Sequence, residues 1–141
     1  MKVRVLFSGK TTDPWIRQGL DIYVERLRHY VPFELVELRD EGQIIRSVRS
    51  TDHLVLLDEH GAFFSSVDWA RNLEQKAAHL PKDLVFAIGG PYGFPQDVRD
   101  RAGEFLSLSP MTFSHQLVRV VFLEQLYRAF TIIRGEHYHH E

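Results

Sequence analysis

Two stretches constrain this chain more than any other feature: Leu54-Val55-Leu56-Leu57 and Leu84-Val85-Phe86-Ala87-Ile88 are apolar at every position. A strand with one wet face alternates apolar and polar residues. An unbroken apolar run of this length therefore belongs to a strand covered on both faces, as in a parallel sheet flanked by helices. Val3 to Phe7, which alternates with charge, and Phe33-Glu34-Leu35-Val36-Glu37-Leu38 supply two more strands. Between them, Asp13-Pro14 places a capping side chain and a proline ahead of Ile16, Leu20, Tyr23, Leu27 and Tyr30, whose spacing predicts an amphipathic helix stopped by Pro32. Residues 39–52 hold one short helix around Ile44 to Val48. Ser65, Ser66 and Asp68 cap a helix with Val67, Ala70, Leu73, Ala77 and Leu80 inward. Pro95 opens another, with Val98, Ala102 and Phe105 inward, and residues 107–113 read as a short strand or a loop. Five strands alternating with helices predict an α/β fold, a single-domain, mainly parallel open sheet with flanking helices. At 141 residues the chain has the length of one ordinary domain, expected to span residues 1–141.

A last helix, from about His115 to Ile133, is apolar almost all round. Its polar stripe holds only Arg119, Gln125 and the i,i+4 pair Glu124 and Arg128. Such a helix needs cover on both sides, from its own core or from a second subunit, and periodicity does not choose between them.

Composition removes several function classes. The absence of cysteine excludes disulfides, thiolate metal sites, iron–sulfur clusters and a cysteine nucleophile. A formal charge of −2 offers no broad electropositive surface for naked nucleic acid, although a local basic patch stays open. The N-terminus lacks the apolar segment of a signal peptide and no run approaches the ~18–20 apolar residues of a membrane span, so a cytoplasmic protein with no membrane partner is expected.

Open parallel sheets bind ligands beyond the carboxyl ends of their strands. Those ends are Leu57-Asp58, Gly89-Gly90-Pro91-Tyr92-Gly93 and the segment from Leu108 to Phe113. Glycines there let peptide groups approach a ligand closely. The motif is neither a phosphate-binding Gly-Lys-Ser/Thr loop nor the dinucleotide Gly-x-Gly-x-x-Gly, which disfavours a phosphate-rich ligand. His137, His139 and His140 crowd the C-terminus beside Tyr138. They lack the helical spacing of a metal site, so no metal is expected, and the readings left are a frayed tail or a Tyr–His pair suited to stacking on a base and moving a proton. His115 reads as a cap or a packed core residue.

Taken in order, Ile88-Gly89-Gly90-Pro91-Tyr92-Gly93, the stretch Leu106 to Arg119, Glu124-Gln125-Leu126-Tyr127-Arg128-Ala129-Phe130 and Arg134-Gly135-Glu136-His137-Tyr138-His139 resemble the bacterial ribosomal RNA large-subunit methyltransferase H family, of the SPOUT class. The likeness runs over essentially the whole chain. It implies a homodimer with a C-terminal trefoil knot that binds S-adenosyl-L-methionine and methylates ring nitrogen three of a pseudouridine in 23S rRNA, on the assembled ribosome. Carried over residue by residue, cofactor contact falls on Leu57, Gly89, Leu108, Ser109, Pro110, Met111, Thr112 and Phe113, and the catalytic Tyr-His on Tyr138 and His139. Arg128 matches the family's arginine after the tyrosine of the long helix, and Arg119 and Arg128 are candidates for RNA or dimer contact, or for a structural ion pair. The departures are His137 where the family often has proline, His140 where a basic residue commonly follows the pair, and a 39–52 region shorter than in longer members. The rival reading is a non-enzymatic nucleotide- or flavin-binding α/β module using the same strand ends.

Overall fold

The protein is described by a computed structural model covering residues 1–80 and 82–140. Five strands, β1 (Val3–Ser8), β2 (Phe33–Leu38), β3 (His53–Ala62), β4 (Leu84–Ile88) and β5 (Glu104–Leu106), form one sheet in the order β2-β1-β4-β3-β5. Every neighbouring pair is parallel, with Val3 opposite both Phe33 and Leu84, and Leu54 opposite Val85. All five residues of β4 are buried, as its unbroken apolar run requires. Side chains leave the sheet alternately on its two faces. Val3, Val5, Phe7, Val55, Leu84, Phe86 and Ile88 join one core layer; Leu6, Leu54, Leu56, Val85 and Ala87 join the other.

Helices α1 (Pro14–Arg28), α3 (Ser66–His79) and α5 (Leu117–Ile133) cover the first face, and α2 (Ile44–Ser47) and α4 (Gln96–Arg101) cover the second. The Ser65 hydroxyl caps α3 by accepting from the Asp68 N–H at 3.1 Å. Asp13 stands at the N-cap of α1 but makes no side-chain cap bond, so proline at the first position carries that start alone. The inward stripe of α3 is also shifted from expectation. Ala77 is exposed, whereas Trp69 is buried and packs with Phe86 and Phe122, ring centroids 5.0–6.1 Å apart.

The fifth strand lies at 104–106, ahead of the 107–113 segment where the sequence pattern puts it, and Phe105 belongs to that strand and not to α4. The cause is local. Helix α4 ends at Arg101, and the Gly103 N–H donates to the Leu54 carbonyl at 2.8 Å, drawing the chain into the sheet at once. Helix α5 takes part of its cover from its own chain, packed against α1 and α3, while Val121, Phe130, Ile132 and Ile133 are only half-buried. A Cβ on Gly19 of α1 would lie 2.9 Å from Val120, a measure of how closely the helices approach. No helix among the described residues is long and apolar enough to cross a membrane.

Candidate cofactor cleft and C-terminal tail

A cleft of about 480 Å³ opens beyond the carboxyl ends of β3, β4 and β5. This is the position that the parallel topology dictates, and the volume lies within the range of ligand pockets. Of the residues singled out from sequence, Leu57, Gly89, Leu108, Ser109, Met111, Thr112 and Phe113 line it; Pro110 sits in the same loop, exposed, outside the lining. The cleft adds Asp58, Glu59, His60 and Phe94 to that set, and also His115, which is exposed at the mouth and not packed in the core.

The loop that follows β5 organises its own backbone. The Ser107 hydroxyl donates to the Ser109 carbonyl at 2.9 Å, and the Ser109 hydroxyl accepts from the Met111 N–H at 3.0 Å. The Thr112 hydroxyl reaches across to the Glu59 carboxylate at 2.6 Å, tying this loop to the end of β3. Asp58 accepts from the His60 N–H at 2.9 Å and from Arg99 at 3.0 Å. Burial opposes ionisation of Asp58, but these two donors outweigh it and hold its carboxyl below the usual range. The lining thus carries two carboxylates and, among the described residues, no lysine or arginine.

The opposite wall is the turn Gly89 to Gly93. Gly93 has φ +77°, a left-handed conformation that disfavours any side chain, and its N–H closes the turn on the Gly90 carbonyl at 3.2 Å. A Cβ on Gly89 would press on the Gly93 carbonyl and the Phe94 ring at 3.2 Å, so glycine there serves the shape of the turn itself. One residue that the sequence did not single out enters here. Glu41, in the 3-10 turn Glu41–Gln43 after β2, accepts from the Gly90 N–H at 3.1 Å. A Cβ on Gly90 would lie 2.6 Å from the same carboxylate oxygen.

Tyr138 and His139 lie elsewhere in the chain. The tail folds back on α5, where the Tyr138 hydroxyl donates to Glu124 at 3.0 Å and the Tyr138 ring meets Tyr127 edge-on at 4.8 Å. Arg128 bonds Glu124 at 2.6 Å, lies over the Tyr138 ring at 4.9 Å and approaches His139 Nδ1 at 3.1 Å. A guanidinium has only donors, so Nδ1 is the acceptor and the ring proton sits on Nε2. Burial first, and then hydrogen bonding with Tyr23 and Glu124, pushes the Tyr138 hydroxyl well above its ordinary pKa and keeps it a donor. Val118 of α5 lines the cleft and Arg128 holds the tail; ten residues of helix set them about 15 Å apart along its axis. One chain alone does not bring its tail to its own cleft.

Of the readings open for Arg119, the structure fits the structural ion pair and not a surface contact. This arginine is fully buried, donating to the Thr11 hydroxyl and the Ser8 carbonyl at 2.9 Å each, stacked over Phe7 and 3.6 Å from Glu37. It has no surface to offer RNA or a second subunit and instead ties α5 to the end of β1. Among the described residues no three His, Asp or Glu side chains converge in a way that could hold a metal ion.

Sheet order, cleft position and glycine turn together define a ligand-binding parallel α/β protein. The chain matches the family described as "Predicted SPOUT methyltransferase" over residues 1–139, and it belongs to that SPOUT methyltransferase family. Relatives named ribosomal RNA large subunit methyltransferase H include one from Parabacteroides distasonis, 43% identical over 100% of both chains. Another, from Geobacter sulfurreducens, is 46% identical over 99% of this chain and 100% of its own. Among solved structures, the SpoU methyltransferase AviRb from Streptomyces viridochromogenes, in complex with the cofactor AdoMet, shares the fold with a TM-score of 0.54 at 14% identity. That match takes in 95% of this chain, which spans 58% of AviRb.

Proposed function

We propose that this chain transfers a methyl group from S-adenosyl-L-methionine to ring nitrogen three of a pseudouridine in large-subunit 23S rRNA, acting in the cytoplasm as a homodimer on the assembled ribosome. The observation that carries the reading is the donor set of the cleft: backbone-rich loops, an apolar floor and two carboxylates, Asp58 paired from outside with Arg99 and Glu59 bonded to Thr112, with no lysine or arginine among the described residues of the lining itself. Such a lining suits a ligand bearing sulfonium and ammonium cations and disfavours phosphate, which argues against the nucleotide- or flavin-binding alternative. When bound, the cofactor supplies an electrophilic methyl group, and the protein's task is mainly to hold donor and acceptor in line. Leu57, the glycine turn with Gly89, and the loop 108–113 would hold the cofactor, Pro110 shaping that loop from outside the lining.

Tyr138, its hydroxyl donating to Glu124 and its ring lying under Arg128, serves the reaction by holding the tail and setting the position of His139 beside the base. His139, its Nδ1 bonded to Arg128, presents Nε2–H as a donor toward a carbonyl beside the reacting nitrogen; this stabilises the imide anion, so that its proton passes to solvent water and the nitrogen takes the methyl group as the bond to sulfur breaks. The distance between tail and cleft within one chain supports a site shared between two copies, each tail serving the other's cleft. The knot implied by the resemblance belongs to the same reading.

The test is transfer of labelled methyl to ribosomes lacking the modification. Truncation after Gly135 should leave cofactor binding, measured by calorimetry, and dimer mass intact while transfer falls roughly 10²-fold or more, with His139→Ala giving most of that loss. Full-rate transfer by the truncated protein would falsify the role of the tail.

A further inference from the structure

Where the C-terminal ends of α1 and α5 meet, two arginines lie on tyrosine rings with their charged edges uncommitted among the described residues. The Arg26 guanidinium sits 5.4 Å from the Tyr23 ring centre and 5.3 Å from that of Tyr127; Arg134 sits 5.1 Å from that of Tyr30. Tyr30 and Tyr127 are neighbours at 6.0 Å, so the two arginines flank one aromatic cluster, and the tail folds onto Tyr127 beside them. Both are exposed. Among the described residues neither has a carboxylate within 4.0 Å or a side-chain hydrogen bond, as is also true of Lys10, Arg28 and Arg46; the stacking on tyrosine rings is what sets Arg26 and Arg134 apart from these. The acidic groups nearby are engaged: Glu124 by Arg128 and Tyr138, and Glu136 by the Tyr30 hydroxyl at 2.7 Å.

A guanidinium stacked on a ring is held in one plane while its N–H fork stays open at the edge, an arrangement that matches phosphate geometry and has already lost part of its rotamer freedom. We propose that this end of the helix pair is an RNA docking surface, on which Arg26 and Arg134 take backbone phosphates of the strand leading to the target base. The proposal rests on the reading of the chain as an rRNA methyltransferase and adds to it the face that holds the substrate. The ring faces are covered by the arginines, so recognition on this face is of phosphate and carries no sequence information, which is left to the tail and cleft.

The experiment is equilibrium binding of ribosomes lacking the modification, measured against salt for the full-length protein, the Arg26→Ala/Arg134→Ala double variant and the matching Lys pair. Cofactor titration and dimer mass are read in parallel. The alanine pair should weaken binding several-fold and lower the slope of log affinity against log salt by about 2, one for each phosphate no longer neutralised, with cofactor affinity and mass unchanged. The lysine pair should restore the slope but only part of the affinity, since an ammonium has no planar fork. An unchanged slope overturns the proposal. So does loss of the dimer in the alanine pair, which would make this face a subunit interface. Binding is read without catalysis, so a wild-type protein that binds ribosomes with the full slope but transfers no methyl group defeats the methyltransferase reading and leaves the docking surface standing.

Discussion

At the scale of single residues, Arg119 shows what periodicity misses. On a helix apolar almost all round, an arginine reads as part of a solvated stripe; its actual acceptors, the Ser8 carbonyl and the Thr11 hydroxyl, are more than one hundred residues away in sequence. Only tertiary structure assembles them. Burial pushes the Arg119 guanidinium below its ordinary pKa and the Glu37 carboxylate opposes that shift. Removing the side chain leaves buried acceptors unpaired, so Arg119→Ala should cost about 3–5 kcal/mol in urea denaturation, and Arg119→Lys less, since one amine can still reach one acceptor. A variant as stable as wild type would show that water replaces the arginine without penalty. That Leu57 and Gly89 would line a cleft was legible for the converse reason: each closes an apolar run, and in a parallel sheet clefts open where such runs end.

At the scale of elements, the glycine turn was visible as a motif, but its support was not, because Glu41 lies in a polar segment with no period. That carboxylate fixes the Gly90 amide from outside the cleft and so positions the turn without touching a ligand. Glu41→Ala should leave the fold intact and weaken S-adenosylmethionine binding about tenfold in calorimetry, the worth of one charge-assisted hydrogen bond, while Glu41→Gln keeps an acceptor and most of the affinity. Equal affinity in the Ala variant would remove Glu41 from this role. The misplacement of the fifth strand has a different origin. Leu106 to Ser109 alternates apolar and polar residues, so pattern alone sets no end to a strand there. Pairing with β3 does: its register breaks between Leu57 and Ala62, and Leu106 is the last residue of the ladder.

At the scale of the whole molecule, the joint between α1, α5 and the tail should respond to alkali. Burial, and then the hydrogen bond to Glu136, pushes the Tyr30 hydroxyl from its ordinary 10.0 up to about 12. A group whose folded pKa is raised contributes stability that is complete below its unfolded value and lost as pH rises toward the folded one. Thermal stability should therefore hold level to about pH 10 and fall between there and about pH 12, and Tyr30→Phe should lessen the fall. A melting temperature flat through that window would count against the joint. The order of the strands has a further consequence, for how the chain comes into being. Residues 84–88 form the strand that sits between β1 and β3, so the first three strands cannot close into one sheet until β4 has been made. While it is being synthesised, the chain carries two unjoined apolar edges, at β1 and at β3, that only its later half can cover. Long-range parallel pairing of this kind is slow to form, and until that fourth strand is inserted the growing polypeptide stays open to aggregation through those edges.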